Sequence, residues 1–135
     1  MSEEASFRRA KDGFSLRLPG GPAAASTARR ALAHLRGDLD EPLMETVRLL
    51  VTELVANSVR HASARFVSVK AVVTGSSVWL EVTDEGPGFE VAGALRKGAQ
   101  SDESGWGLFL VERLANRWGV QREGDATRVW FELRR

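Results

Sequence analysis

Two oxygen-bearing side chains, Glu53 and Asn57, sit one helical turn apart in the stretch TELVANSVRHA, Thr52 to Ala62. At 100° per residue, Asn57 lies ~40° around a helix from Glu53, and Leu50 lies ~60° away at the start of an apolar arc. The pair therefore forms a polar stripe bordering the buried face. Such a stripe is either a solvated helix edge or a carboxylate and an amide oxygen presented to a pocket, the hard ligands that magnesium takes while keeping several waters. A second feature is DEGPGF, Asp84 to Phe89. Asp84 continues the alternating face of Val78, Leu80 and Val82. A carboxylate on a buried face needs a partner or costs several kcal/mol (roughly), and a purine amino group supplies one donor. Gly86 and Gly88 allow a sharp turn and close approach to a ligand; the plain alternative is a strand-ending turn.

Two further features bear on the same chemistry. In SGWGLFLVERL, Gly105 and Gly107 sit just before a helix, where free amides and the local dipole bind phosphate. A Gly-x-Gly alone is weak evidence. Thr127 shares a strand face with Val129, Phe131 and Leu133, so its hydroxyl can reach the pocket of Asp84; otherwise it is an ordinary β-former.

The elements that must position these groups follow from periodicity. Phe14, Leu16 and Leu18 alternate as a short strand, which Pro19-Gly20-Gly21-Pro22 ends. Ala24, Ala28, Ala31, Leu32 and Leu35 recur at helical spacing up to Gly37. Asp40 caps a long helix with Pro42 in its first turn, running to about Ala62 on Leu43, Val47, Leu50, Val51, Leu54, Val55 and Val59. FVSVKAVV and SVWLEVTD flank Gly75-Ser76-Ser77 as an antiparallel hairpin. Glu85 to Ser104 reads as a long loop, the expected place for a functional, mobile lid. Leu108, Val111, Leu114, Ala115 and Trp118 define a third helix. A short strand near Val120 and TRVWFELR close the chain around a Gly124-Asp125 turn. The pattern predicts an α/β (α+β) two-layer sandwich, an antiparallel or mixed sheet with about three helices on one face. Trp79, Trp130 and Phe66 fall on the opposite face. They mark a partner or homodimer surface, or rings covered by the stems of Arg128, Lys70 and Glu81.

The 135 residues fit one domain, 1–135, with about 1–12 as a flexible N-terminal tail. Hydrophobic residues at 43% and charged residues at 27% exclude a disordered chain, and a net charge of +1 gives no argument for a nucleic-acid partner. There is no cysteine, so disulfide scaffolds and thiolate chemistry are excluded, and two isolated histidines do not argue for zinc. Without a long apolar run, the expectation is a soluble cytoplasmic protein with no membrane partner.

Taken in order, helix acid-amide, strand-end Asp-Gly-x-Gly, glycine turn into helix and threonine strand, these features resemble the GHKL (Bergerat-fold) ATPase superfamily. ELVANSVRHA matches its N box, DEGPGF and GWGLFLV its two glycine boxes, and GDATRVWFEL its closing strand. Within the superfamily the chain is most similar to the anti-sigma-factor serine/threonine kinases of the SpoIIAB/RsbW-like group, from about Phe14 to Leu133. The resemblance implies an ATP site with Mg2+ under a mobile lid. Asn57 matches the magnesium ligand, and Glu53 the acid acting as general base toward the attacking hydroxyl. Asp84 matches the residue that bonds the adenine amino group, with Thr127 nearby. Gly86 and Gly88 then line the adenine side, Gly105 and Gly107 the phosphate side, and Leu108 of the second glycine box belongs to the nucleotide-binding set. The implied function is a kinase acting on an anti-anti-sigma (STAS-type) partner and binding a sigma factor, as a homodimer. The alternatives are a nucleotide-dependent module that sequesters a sigma factor without phosphotransfer, or a detached histidine-kinase-like catalytic domain.

Overall fold

The computed structural model describes residues 5–61, 64–85 and 106–135. Its elements in chain order are β1 (Ser6–Ala10), β2 (Gly13–Pro19), α1 (Ala24–Ala31) running into a 3-10 turn (Leu32–Leu35), α2 (Glu41–His61), β3 (Phe66–Val73), β4 (Ser77–Glu85), α3 (Trp106–Leu114), β5 (Arg117–Glu123) and β6 (Ala126–Arg134). The strands form one six-stranded sheet in the order β1-β2-β3-β4-β6-β5, and every neighbouring pair is antiparallel. β6 thus returns between β4 and β5, which brings the strand carrying Thr127 beside the strand carrying Asp84.

The alternation expected from sequence is realised along the three central strands. Val67, Val69 and Ala71 of β3, Val78, Leu80 and Val82 of β4, and Val129, Phe131 and Leu133 of β6 are all buried, together with Phe14, Leu16 and Leu18 of β2. Against this face α2 lays Met44, Val47, Leu50, Val51, Leu54 and Val55, which recur at the three- and four-residue spacing of one helical stripe. Its start is fixed by the expected cap: the Leu43 amide donates to Asp40 Oδ1 at 2.9 Å. α1 presents Ala24 and Ala28, whose small side chains let it lie close, and Leu32 and Leu35 of the 3-10 turn complete that end of the core. The architecture is the two-layer α+β sandwich read from sequence, with an antiparallel sheet and, among the described residues, three helices. No helix among the described residues is long and apolar enough to cross a membrane.

Two expectations need correction. Part of the anticipated N-terminal tail is strand β1, whose five residues are exposed. It pairs with β2 from Ser6↔Arg17 to Ala10↔Gly13, and Phe7 stacks on Phe14 at 5.5 Å and on His34 at 4.4 Å. Ladder hydrogen bonds and this aromatic contact hold an edge that lacks a buried face of its own. The third helix ends at Leu114, and Trp118 belongs to β5, opposite Phe131. The Asn116 amide already donates to the Glu132 carbonyl, so pairing with β6 takes over where the helix stops.

On the far side of the sheet, Trp79 and Trp130 stack with ring centroids 4.5 Å apart and planes 6° from parallel. Gly119 makes room for the Trp130 ring, since a Cβ there would lie 2.6 Å from the indole Nε1. Phe66 shares this face but not the cluster. It lies six residues along β3 from Val72, the partner of Trp79, and is covered by Arg17, whose guanidinium sits 3.5 Å from its centroid. Arg128 pairs with Glu81 at 3.4 Å.

Candidate functional site

The helix-facing side of the sheet carries one polar row at the end of β4. Register places Asp84 opposite Thr127, and Thr127 opposite Arg122 on the edge strand. Asp84 and Thr127 are only 5% and 3% exposed, so the row runs from solvent at Arg122 into the core. From above, α2 contributes Ser58, whose hydroxyl lies 2.7 Å from Asp84 Oδ2 and 3.0 Å from the Leu54 carbonyl. A serine has one proton to give. When Asp84 is ionised, that proton goes to the carboxylate, since a charged acceptor makes the stronger bond. When Asp84 is protonated, it donates to Ser58, which turns its own proton to Leu54. Arg122 Nη1 donates to Thr127 Oγ1 at 2.5 Å.

The other carboxylate oxygen, Asp84 Oδ1, is buried and has no hydrogen-bond partner. Burial raises the Asp84 pKa above the usual carboxylate value, against the opposing pull of the Ser58 hydrogen bond and the Arg122 charge. The fold therefore holds a poorly solvated acceptor in want of a donor, which is what an exocyclic amino group provides.

Asn57 immediately precedes Ser58 on α2, and Glu53 lies about one turn before Asn57; both are half-buried. Asn57 Oδ1 is buried and also lacks a partner. The first turn of α3 lies directly against this turn of α2. A Cβ on Gly107 would sit 3.0 Å from Asn57 Nδ2 and 3.2 Å from the Glu53 carbonyl carbon and the Leu54 nitrogen. Gly107 thus has a packing role: its missing side chain lets the N-terminus of α3 reach the acid-amide pair. Gly107→Val is expected to push α3 off α2, destabilising the protein by about 1–3 kcal/mol, which urea unfolding will read. Leu108, next along, is 2% exposed and packed in the core, so its side chain serves packing.

The structure accordingly sets Gly107 against Asn57 and the Glu53 backbone, and Ser58, the neighbour of Asn57, against Asp84, which pairs with Thr127. Gly86, Gly88 and Gly105, with the expected lid, lie outside the described residues. Sequence reasoning missed Ser58 and Arg122. Ser58 had a signal, for it continues the buried series Val51, Leu54, Val55 at helical spacing and is polar where the stripe calls for an apolar residue. Arg122 had none, since the register of β5 is not visible in the sequence.

The unpartnered oxygens test the fit of the expected ligands. A bound adenine would give Asp84 Oδ1 a donor, and a magnesium ion accompanying the phosphates would give Asn57 Oδ1, a hard oxygen of the kind it selects, a partner. The residues present fit both groups.

The helices over an antiparallel sheet are the arrangement of a GHKL-type, histidine kinase-like ATPase domain. Residues 18–133 match the family model described as the histidine kinase-like ATPase domain. The chain belongs to this family. A curated relative, the sensor histidine kinase NarS of Mycobacterium tuberculosis, is 37% identical over 76 residues, covering 50% of this chain and 18% of NarS. Among solved structures, the RsbU and RsbW domains of Rv1364c from Mycobacterium tuberculosis share the fold with a TM-score of 0.64 and 20% identity, over 89% of this chain and 32% of that one. The chain therefore spans less than a third of each of these two proteins.

Proposed function

We propose that this chain is an ATP- and Mg2+-binding regulator of the anti-sigma-factor type, a serine/threonine protein kinase that phosphorylates a STAS-type anti-anti-sigma partner and binds a sigma factor, in the cytoplasm. The observation that carries the nucleotide reading is the pair of buried, unpartnered oxygens, Asp84 Oδ1 and Asn57 Oδ1, on facing elements. The fold shared with the RsbW-containing structure supports the anti-sigma class, and the retained Glu53 supports transfer over mere sequestration.

Asp84 and Thr127 bind the purine. Asn57 helps to hold the metal, whose positive charge offsets the negative charge of the phosphates. Glu53 takes the proton of the partner's serine hydroxyl as its oxygen bonds to the γ-phosphorus. The bond to the β–γ bridging oxygen breaks and ADP leaves. Incubation with labelled ATP and STAS-type proteins tests this: label on a serine or threonine of the partner is the expected result, and sigma-factor binding without transfer to any partner would establish the sequestering role instead. The similarity to NarS favours a second reading, a detached histidine-kinase-like catalytic domain; for that, the label would appear on a histidine, in acid-labile form.

The homodimer belongs to the same proposal, and the stacked Trp79–Trp130 pair is its candidate contact. Both rings lie on the sheet face away from Asp84 and Thr127. The double variant Trp79→Ser, Trp130→Ser is expected to sediment as a monomer while binding ATP as tightly as the dimeric wild type. A monomeric wild type at high micromolar concentration, or a dimeric double variant, would remove this interface.

A further inference from the structure

Arg122 is exposed on the edge strand β5, yet its guanidinium is committed to the hydroxyl of buried Thr127. We propose that Arg122 sets the donor–acceptor polarity of the purine end of the pocket, and so makes it select a 6-aminopurine over a 6-oxopurine. The inference rests on the ATP-site reading above and assigns Arg122 as a positioning residue within it.

A threonine hydroxyl has one proton and two acceptor lone pairs, whereas a guanidinium only donates and stays charged. The Arg122 Nη1 bond therefore occupies a lone pair of Thr127 Oγ1 and leaves the hydroxyl proton free to donate elsewhere. Among the described residues no acceptor takes that proton, and Asp84 Oδ1 has no donor, although Asp84 and Thr127 are directly paired in register. Side chains of directly opposed residues have Cβ atoms only about 4.5–5.5 Å apart, so a Thr127–Asp84 hydrogen bond is within reach and is nonetheless not made. Arg122 draws the Thr127 hydroxyl toward β5 and keeps it from capping the carboxylate.

The result is an acceptor, Asp84 Oδ1, beside a donor, the Thr127 hydroxyl. A 6-aminopurine presents the complement on adjacent atoms, an amino donor and the N1 acceptor. A 6-oxopurine presents the reverse, a carbonyl acceptor and an N1–H donor. Without Arg122, Thr127 is free to turn to Asp84 and satisfy it internally, or to accept a hydrogen bond in place of giving one. Either change penalises the aminopurine and spares the oxopurine.

The test compares dissociation constants for ATP and inosine triphosphate, which share ribose, phosphates and charge and differ at the purine edge. Wild type is expected to prefer ATP. Arg122→Ala is expected to lose about tenfold of that preference, nearly all as weaker ATP binding, while Arg122→Lys retains most of it because an ammonium also donates to Thr127. Unchanged circular dichroism and melting temperature of the Ala variant accompany this result. An unaltered ATP-to-inosine-triphosphate ratio in Arg122→Ala overturns the proposal, including the case in which both ligands weaken equally, which marks Arg122 as a charge attracting phosphate. A wild type that binds both nucleotides equally also overturns it while leaving the nucleotide site intact. A wild type that binds neither defeats the ATP-site reading itself.

Discussion

Glu53→Gln is expected to abolish phosphoryl transfer to the partner protein while leaving ATP affinity unchanged. The substitution keeps shape and hydrogen-bonding reach but removes the basic carboxylate one helical turn from Asn57. Loss of a positioned general base costs about 100- to 10,000-fold in rate. Glu53 lies half-exposed on α2, on the turn whose backbone Gly107 of α3 packs against, so the fold does not require its charge to be buried. Single-turnover transfer from labelled ATP, at saturating partner, measures the effect. Transfer within a few-fold of wild type would place the base elsewhere or show that none is needed. Unchanged ATP binding by calorimetry is the companion result, and it separates a chemical defect from a collapsed site.

The second large effect is expected at Asp84. Asp84→Asn replaces the unpartnered acceptor Oδ1 with an amide that presents a donor to the adenine amino group once its oxygen is taken by Ser58. The mismatch costs roughly 1–3 kcal/mol, or about 5- to 150-fold in ATP affinity. The same substitution is expected to stabilise the nucleotide-free protein at neutral pH. Burial raises the Asp84 pKa in the folded state above its unfolded value, so the unfolded chain gives up this proton first. The contribution of Asp84 to stability is therefore fully present below the unfolded pKa and is lost as pH rises through the raised folded pKa. Asp84→Asn removes that loss: its melting temperature should exceed that of wild type at neutral pH, and the gap should close on acidification. A variant that binds ATP like wild type would sink the adenine assignment, and one less stable than wild type at neutral pH would show that Ser58 and Arg122 outweigh the burial cost. The site thus trades stability for a poorly solvated acceptor, as functional sites commonly do.

Much of this was legible because local signals agreed with the fold. Asp40, Pro42 and a sustained apolar stripe fix α2, and clean alternation with a Gly75-Ser76-Ser77 turn fixes the β3–β4 hairpin. β1 was hidden because its residues bury nothing by themselves, and its hold on the fold comes from pairing with β2 and from Phe7 meeting Phe14 across that hairpin and His34, distant in sequence. Trp118 fits the helical series after Val111 and Leu114 and also alternates with Val120, and only the Trp118↔Phe131 pairing decides between the periods. At the site, residue types announced Glu53, Asn57 and Asp84, but the row Asp84–Thr127–Arg122 exists only through the register of three strands, two of them non-consecutive. Ser58 is the intermediate case, visible as a polar break in a buried stripe but meaningful only once Asp84 stands opposite it.

The central claim is a magnesium-assisted ATP site between α2 and the end of β4. Calorimetric titration of ATP into the wild-type protein, once with magnesium and once with EDTA, tests it most directly. The account predicts saturable binding in both, distinctly tighter with magnesium because Asn57 Oδ1 then gains its partner. No binding with magnesium present, or equal affinity with and without it, would contradict the account.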